Sequence, residues 1–123
     1  MPSVRREVLL PVPREEAWAL LTDEHALREW LADDAELEPE VGGEIRADGR
    51  HGVVEAVDEG RRLAFRWHDG IDESRVEWTL ADATTDAVAT RVVVVERRLE
   101  PAFATAWSPK LSALARAGAL CRI

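Results

Sequence analysis

The stretch LAFRWHDG, residues 63–70, alternates apolar Leu63, Phe65 and Trp67 with Ala64, Arg66 and His68. A period of two is that of a strand with one face turned to a core and the other to water. The flanking stretches repeat the pattern in a register that side-chain size and charge can check. Upstream, HGVVEAV (51–57) reaches it through DEGR (58–61), and pairing Asp58 with Arg61 sets Val54 opposite Phe65 and Gly52 opposite Trp67. Downstream, across DGIDES (69–74), pairing His68 with Arg75 aligns Trp67 with Val76, Phe65 with Trp78 and Leu63 with Leu80, while Arg66 meets Glu77 on the other face. A slip of one residue would set Trp beside Arg and expose the aromatics, so these strands are expected as an antiparallel meander.

Outward from the meander, Asp48-Gly49 is a favoured two-residue turn joining EIRA (44–47) to the strand that begins at Arg50. ATRVVVVERRL (89–99) is the last strand, with Val92 and Val94 on one face and Val93 and Val95 on the other; ADATTDAVA (81–89) leads loosely into it. REVLLPVP (6–13) is the first strand, ended by Pro11 and Pro13, which cannot donate to a ladder. PREEAWALLTD (13–23) then brings Ala17, Trp18 and Leu21 onto one helical face, with Glu15 and Glu16 in the first turn where the helix dipole favours negative charge. Asp23 caps a second short helix, EHALREWLAD (24–33), whose Leu27, Trp30 and Leu31 fall at i, i+3 and i+4. At the far end FATAWSPKLSALARAGALCR (103–122) repeats Phe103, Trp107, Leu111 and Leu114 at helical spacing. Pro109 suits a first turn with Ser108 as cap, so regular helix is expected from there, with FATAW as a lead-in. This order is α+β: a curved antiparallel sheet of about six or seven strands around a C-terminal helix, with two short helices after the first strand.

The whole chain, 1–123, has the length of a single domain. A formal charge of −8 disfavours phosphate backbones, so no nucleic-acid partner is expected. The acid is uneven: 13 acidic and 3 basic residues lie between Asp23 and Glu59, against 3 bases and no acid from Pro101 onward. One Cys121 forms no internal disulfide, and His25, His51 and His68 have no zinc spacing; no metal and no cofactor are expected. No apolar run is long enough to span a membrane, and MPSVRREVLL lacks the marks of an export signal, which gives a cytoplasmic expectation without membrane insertion.

A curled sheet gripping one helix leaves room between them, and an interior of five Trp and two Phe without Tyr is wide and short of hydroxyls. EEAWALLTDEHALREWL, the VGGEIR turn, HGVVEAVDEGRRLAFRWHDG, VEWTL and AWSPKLSAL resemble, in order, the branch of the START/SRPBCC superfamily named after the activator of the heat-shock-protein-90 ATPase. The resemblance covers nearly the whole chain and implies a helix-grip fold with an apolar cavity between sheet and final helix. It also implies a structural Trp18, a Trp30 at the cavity mouth, inward Phe65, Trp67 and Trp78, and a sheet-facing Trp107 and Leu111. The last helix is short and carries Pro109 near its start, which implies a shallower cavity, or one open at an end that a second copy of the chain closes in a homodimer.

The candidate ligand-binding set is therefore Leu27, Trp30, Val54, Phe65, Trp67, Trp78, Glu96, Phe103, Trp107 and Leu111. Glu96 is the one strand carboxylate that register turns inward; once buried it must find partners or titrate upward, which marks it for polar recognition. His51 and His68 fall opposite one another on the outer face. No nucleophile elbow or phosphate loop is present, and no catalytic residue is assigned. The reading is a non-catalytic binder of a small hydrophobic or aromatic molecule. Two alternatives stay open: a co-chaperone-like interaction module using the acidic stretch from Asp33 to Glu44, and a cyclase-like or hydrolase-like enzyme using the same cavity through Glu96. A chaperone partner is not expected, because the named activator engages its chaperone through an additional domain.

Overall fold

The computed structural model describes residues 3–70, 72–83, 89–98 and 107–121. Seven strands form one antiparallel sheet: β1 (Ser3–Leu10), β2 (Glu36–Leu37), β3 (Glu44–Ala47), β4 (Arg50–Asp58), β5 (Arg62–His68), β6 (Glu73–Asp82) and β7 (Thr90–Arg98), in the spatial order β1-β7-β6-β5-β4-β3-β2. Two short helices, α1 (Arg14–Thr22) and α2 (Glu24–Trp30), follow β1, and α3 (Trp107–Cys121) closes the chain. None of the helices is long and apolar enough to cross a membrane among the described residues.

Local chemistry accounts for the element ends. Pro11 and Pro13 end β1, and the Val12 carbonyl between them is taken up by Thr90 Oγ1 at 2.9 Å. Asp23 Oδ2 accepts from the Ala26 amide at 3.0 Å and so starts α2 one residue after α1 ends. At the β3–β4 turn, Asp48 (φ 59°) and Gly49 (φ 80°) both adopt the left-handed conformation that a tight hairpin needs. β2, too short to show a period, extends the sheet by pairing Glu36 with Arg46 and Leu37 with Ile45.

The β4–β5 hairpin pairs Val54 with Phe65 and Gly52 with Trp67, as the alternation requires, but joins Asp58 to Arg62 rather than Arg61. A bulge between Val54 and Ala56 absorbs the extra residue and adds local twist. The β5–β6 register differs by two residues from the sequence reading: His68 faces Glu73, Trp67 faces Ser74, Phe65 faces Val76 and Leu63 faces Trp78. The turn is tighter than DGIDES implies, because the Asp72 amide donates to Asp69 Oδ1 (2.8 Å) and the Asp69 amide to the Asp72 carbonyl (3.2 Å). A shift of two keeps every side chain on its face, so the core is unchanged while the neighbours differ. Arg66 lies opposite Arg75 instead of Glu77; Glu77 pairs with Arg62 at 2.6 Å, and Arg66 approaches Glu55 and Glu73.

The three helices cover the inward face. On α1 the buried residues are Ala17, Leu20 and Leu21, with Trp18 half-buried, so Leu20 replaces Trp18 on the inward stripe. The Trp30 indole donates to the Leu20 carbonyl at 2.9 Å and ties α2 to α1. α3 begins at Trp107, one residue before the expected cap, and Pro109 occupies its first turn, where no helical partner is lost. Lys110 donates to the Leu31 carbonyl at 2.6 Å, fastening α3 to the end of α2. Gly118 brings α3 close to Leu10, Pro11 and Leu20.

Gly52 is where the sheet tolerates no side chain, since a β-carbon there would collide with the Arg66 carbonyl and stand 2.6 Å from Trp67 Cα. Gly52→Ala should therefore cost about 2 kcal/mol or more of unfolding free energy. The reading is a lower urea midpoint at unchanged slope; an unchanged midpoint would mean that β4 and β5 approach less closely than described.

Candidate functional site

The inward faces of β5 and β6, the end of α2 and the start of α3 build a continuous aromatic cluster. Trp67 stacks on Trp107 (ring centroids 6.1 Å apart, 14° between planes) and meets Phe65 edge-on at 4.9 Å. Trp78 meets Phe65 at 5.1 Å, Trp107 at 6.5 Å and Trp30 at 5.4 Å. Offset and edge-to-face geometries satisfy the ring quadrupoles and stabilise each pair by about 0.5–1.5 kcal/mol beyond burial. Leu27, Val54 and Leu111 belong to the same buried core. Phe103 lies outside the described residues. Of the ten candidates, nine are thus brought into one core, with the indoles in mutual contact.

At one end this core turns polar. Glu96, fully buried on β7, accepts from Trp107 Nε1 (3.0 Å) on α3, from Ser74 Oγ (2.6 Å) on β6 and from Trp67 Nε1 (3.3 Å) on β5. The Trp67 indole N–H is shared, donating also to Ser74 Oγ at 2.9 Å. Arg50 of β4 places a guanidinium nitrogen 3.8 Å from the Glu96 carboxylate and its guanidinium carbon 5.1 Å from the centre of the Trp67 ring. Burial pulls Arg50 below the usual arginine range; Glu96 opposes that most strongly, followed by Asp69 and Asp48, while Arg98 adds to the lowering. Buried Glu96 thus finds partners from four elements.

Ser74, Arg50 and Arg98 are the members that the sequence reading did not select. Ser74 enters through the two-residue register difference, which sets it opposite Trp67. Arg50 and Arg98 carried a signal: Arg50 shares its face with Val54, and Arg98 lies two residues beyond Glu96 on the same face of β7. Arg98 is 9% exposed, and among the described residues neither its Nε nor its Nη1 has a hydrogen-bond partner. Trp78 Nε1 is likewise buried without one. A recess of about 10 Å³, room for roughly one water, opens beside Arg50, Arg98, Trp67 and Ser74.

The outer face carries a groove of about 610 Å³, whose lining includes Glu36, Glu38, Glu44, Glu55, His51 and His68 together with Arg46, Arg66 and the apolar Leu37, Ile45 and Val53. The two histidines pair across β4 and β5 with rings 4.3 Å apart, where the alternation puts them. Among the described residues no group of three or more His, Cys, Asp or Glu is placed to hold a metal ion.

A family model described as Activator of Hsp90 ATPase homolog 1-like protein matches residues 11–116. Among solved structures, CalU16 from Micromonospora echinospora superposes with a TM-score of 0.81 at 20% identity, covering 98% of this chain and 79% of that one. Protein MLL2253 from Mesorhizobium loti gives 0.78 at 25% identity over 98% of both chains. An HSP90 activator from Plasmodium falciparum gives 0.68 at 17% identity over 80% of this chain and 74% of that one. At such identities the likeness shows the fold, a sheet wrapped on a C-terminal helix. No protein of curated function matches the chain significantly.

Removing one member of a buried ion pair leaves the other charge uncompensated. Glu96→Gln should cost about 3 kcal/mol of stability, and a double-mutant cycle with Arg50→Met should return a coupling above about 1 kcal/mol in urea unfolding. Additive losses would show that the two groups do not interact.

Proposed function

This chain belongs to the Activator of Hsp90 ATPase homolog 1-like family, and on that premise we propose that it binds a small molecule with an apolar or aromatic body between the sheet and α3, without catalysis. Domains of this fold family are often ligand-binding. The observation that carries the reading is the composition of the interior: five touching aromatic rings closed at one end by a buried polar cluster of Glu96, Ser74 and Arg50. Ligand pockets combine such apolar walls with a few convergent polar groups. A core built for stability alone gains little from burying an ion pair, since desolvation offsets the attraction. Trp107, stacked on Trp67 and donating to Glu96, joins the apolar wall to the polar end.

A second reading draws on the outer groove, where Glu36, Glu38 and Glu44 of the acid-rich stretch face solvent and suit a basic segment of a protein partner. Salt separates the two, because an exposed charge contact weakens as ionic strength rises whereas apolar burial does not.

Titration with the neutral probe N-phenyl-1-naphthylamine should quench tryptophan fluorescence saturably at high salt. Trp67→Ala and Trp107→Phe should each weaken binding about tenfold while far-UV circular dichroism stays unchanged. Flat titrations with this probe and across a panel of lipids and aromatic compounds would overturn the container reading.

A further inference from the structure

The inward row at the polar end holds two guanidiniums, Arg50 and Arg98, against one buried carboxylate, Glu96. That carboxylate is already engaged by Trp107, Trp67, Ser74 and Arg50. Arg98 is left, more than nine-tenths buried, with Nε and Nη1 shielded from water and unpartnered among the described residues. Two shielded guanidinium nitrogens without a partner are disfavoured relative to solvated or paired ones, and an apolar residue at the same position of β7 would avoid the cost. Arg98 lines the recess that also borders Trp67 and Arg50, and the space there fits an oxygen-sized atom.

From this geometry we infer that the ligand carries a carboxylate, one oxygen of which seats in the recess against Arg98, with Arg50 and Trp67 beside it. The inference rests on the interior being a ligand site, as proposed above, and names the chemical class of what it takes. Asp69, Asp72 and Glu73 also line the recess, and Glu96 lies beyond it, accepting from the lining Ser74 hydroxyl. Their charge excludes anions that are not drawn in by a direct guanidinium contact, and it disfavours the doubly charged phosphate monoester more than a single carboxylate. A charge-assisted hydrogen bond to a buried Arg is the strong kind, and it forms only when the acid is bound.

The test is competition against N-phenyl-1-naphthylamine with decanoate, decan-1-ol and decylammonium, near neutral pH. Decanoate should displace the probe at a concentration at least about tenfold lower than decan-1-ol, with decylammonium weakest. Arg98→Met should bring the acid and the alcohol together and leave the probe and the alcohol unchanged. Because that substitution removes two buried donors that have no partner among the described residues, it should keep or raise the melting temperature of the free protein, and Arg98→Lys should retain part of the preference. Equal displacement by acid and alcohol, with the probe still bound, would overturn the carboxylate assignment and leave the container reading standing. So would a lowered melting temperature in Arg98→Met, which would mark Arg98 as a structural ion-pair member. Failure of the neutral probe itself to bind would remove both.

Discussion

A carboxylate with no access to water must find its hydrogen bonds inside the protein, and Glu96 takes them from strands on one side and a helix on the other. The bond to Trp107 holds the first residue of α3 onto β7, and that to Trp67 sets the tilt of an indole whose face then receives both Trp107 and Arg50. Ring orientation in the aromatic cluster therefore follows from a polar requirement. Apolar packing alone is non-directional and would leave these wide rings several arrangements of similar energy.

The same economy of contacts fastens the helices to one another. Trp30 spends its N–H on the α1 carbonyl of Leu20 and its ring on Trp78, so one side chain links α1, α2 and the sheet. Lys110 uses its ammonium on the Leu31 carbonyl and leans toward Asp48 at the β3–β4 turn, 3.7 Å away. The grip of the sheet on α3 is thus set at its beginning by Glu96 and Lys110, and further along by close approach at Gly118. Family membership and the solved relatives fix the architecture.

Much of the fold was legible because alternation survives small errors in pairing. Facing Trp67 and Phe65 inward needs only the period of two, and that period also sent Glu96 into the core and His51 and His68 to the outer face. The β5–β6 neighbours were misread because a two-residue slip preserves every face, and an aspartate side chain closing its own turn is a local hydrogen bond that hydrophobic pattern does not register. The bulge next to Glu55 was invisible for a similar reason: it leaves Val54 opposite Phe65 and displaces only the pairs nearer the turn. On α1, Trp18 and Leu20 are both apolar, and composition could not rank them; packing against α3 and α2 chose Leu20.

By itself the sequence determined which residues of the long strands face inward, the chain order of the elements apart from β2, the tight Asp48-Gly49 turn and the presence of one inward carboxylate, since all of these follow from periodicity and backbone preference within a few residues. Only the tertiary structure decided who answers that carboxylate. Ser74 comes from a register fixed by a turn, Arg50 from a neighbouring strand and Trp107 from a helix at the other end of the chain. It also decided that Arg98, one charge among many in the sequence, lies in the interior with donors to spare. The physical reason is that hydrogen bonds and ion pairs depend on distances of about 3 Å between groups far apart in the chain, and pattern along the chain carries no such distance.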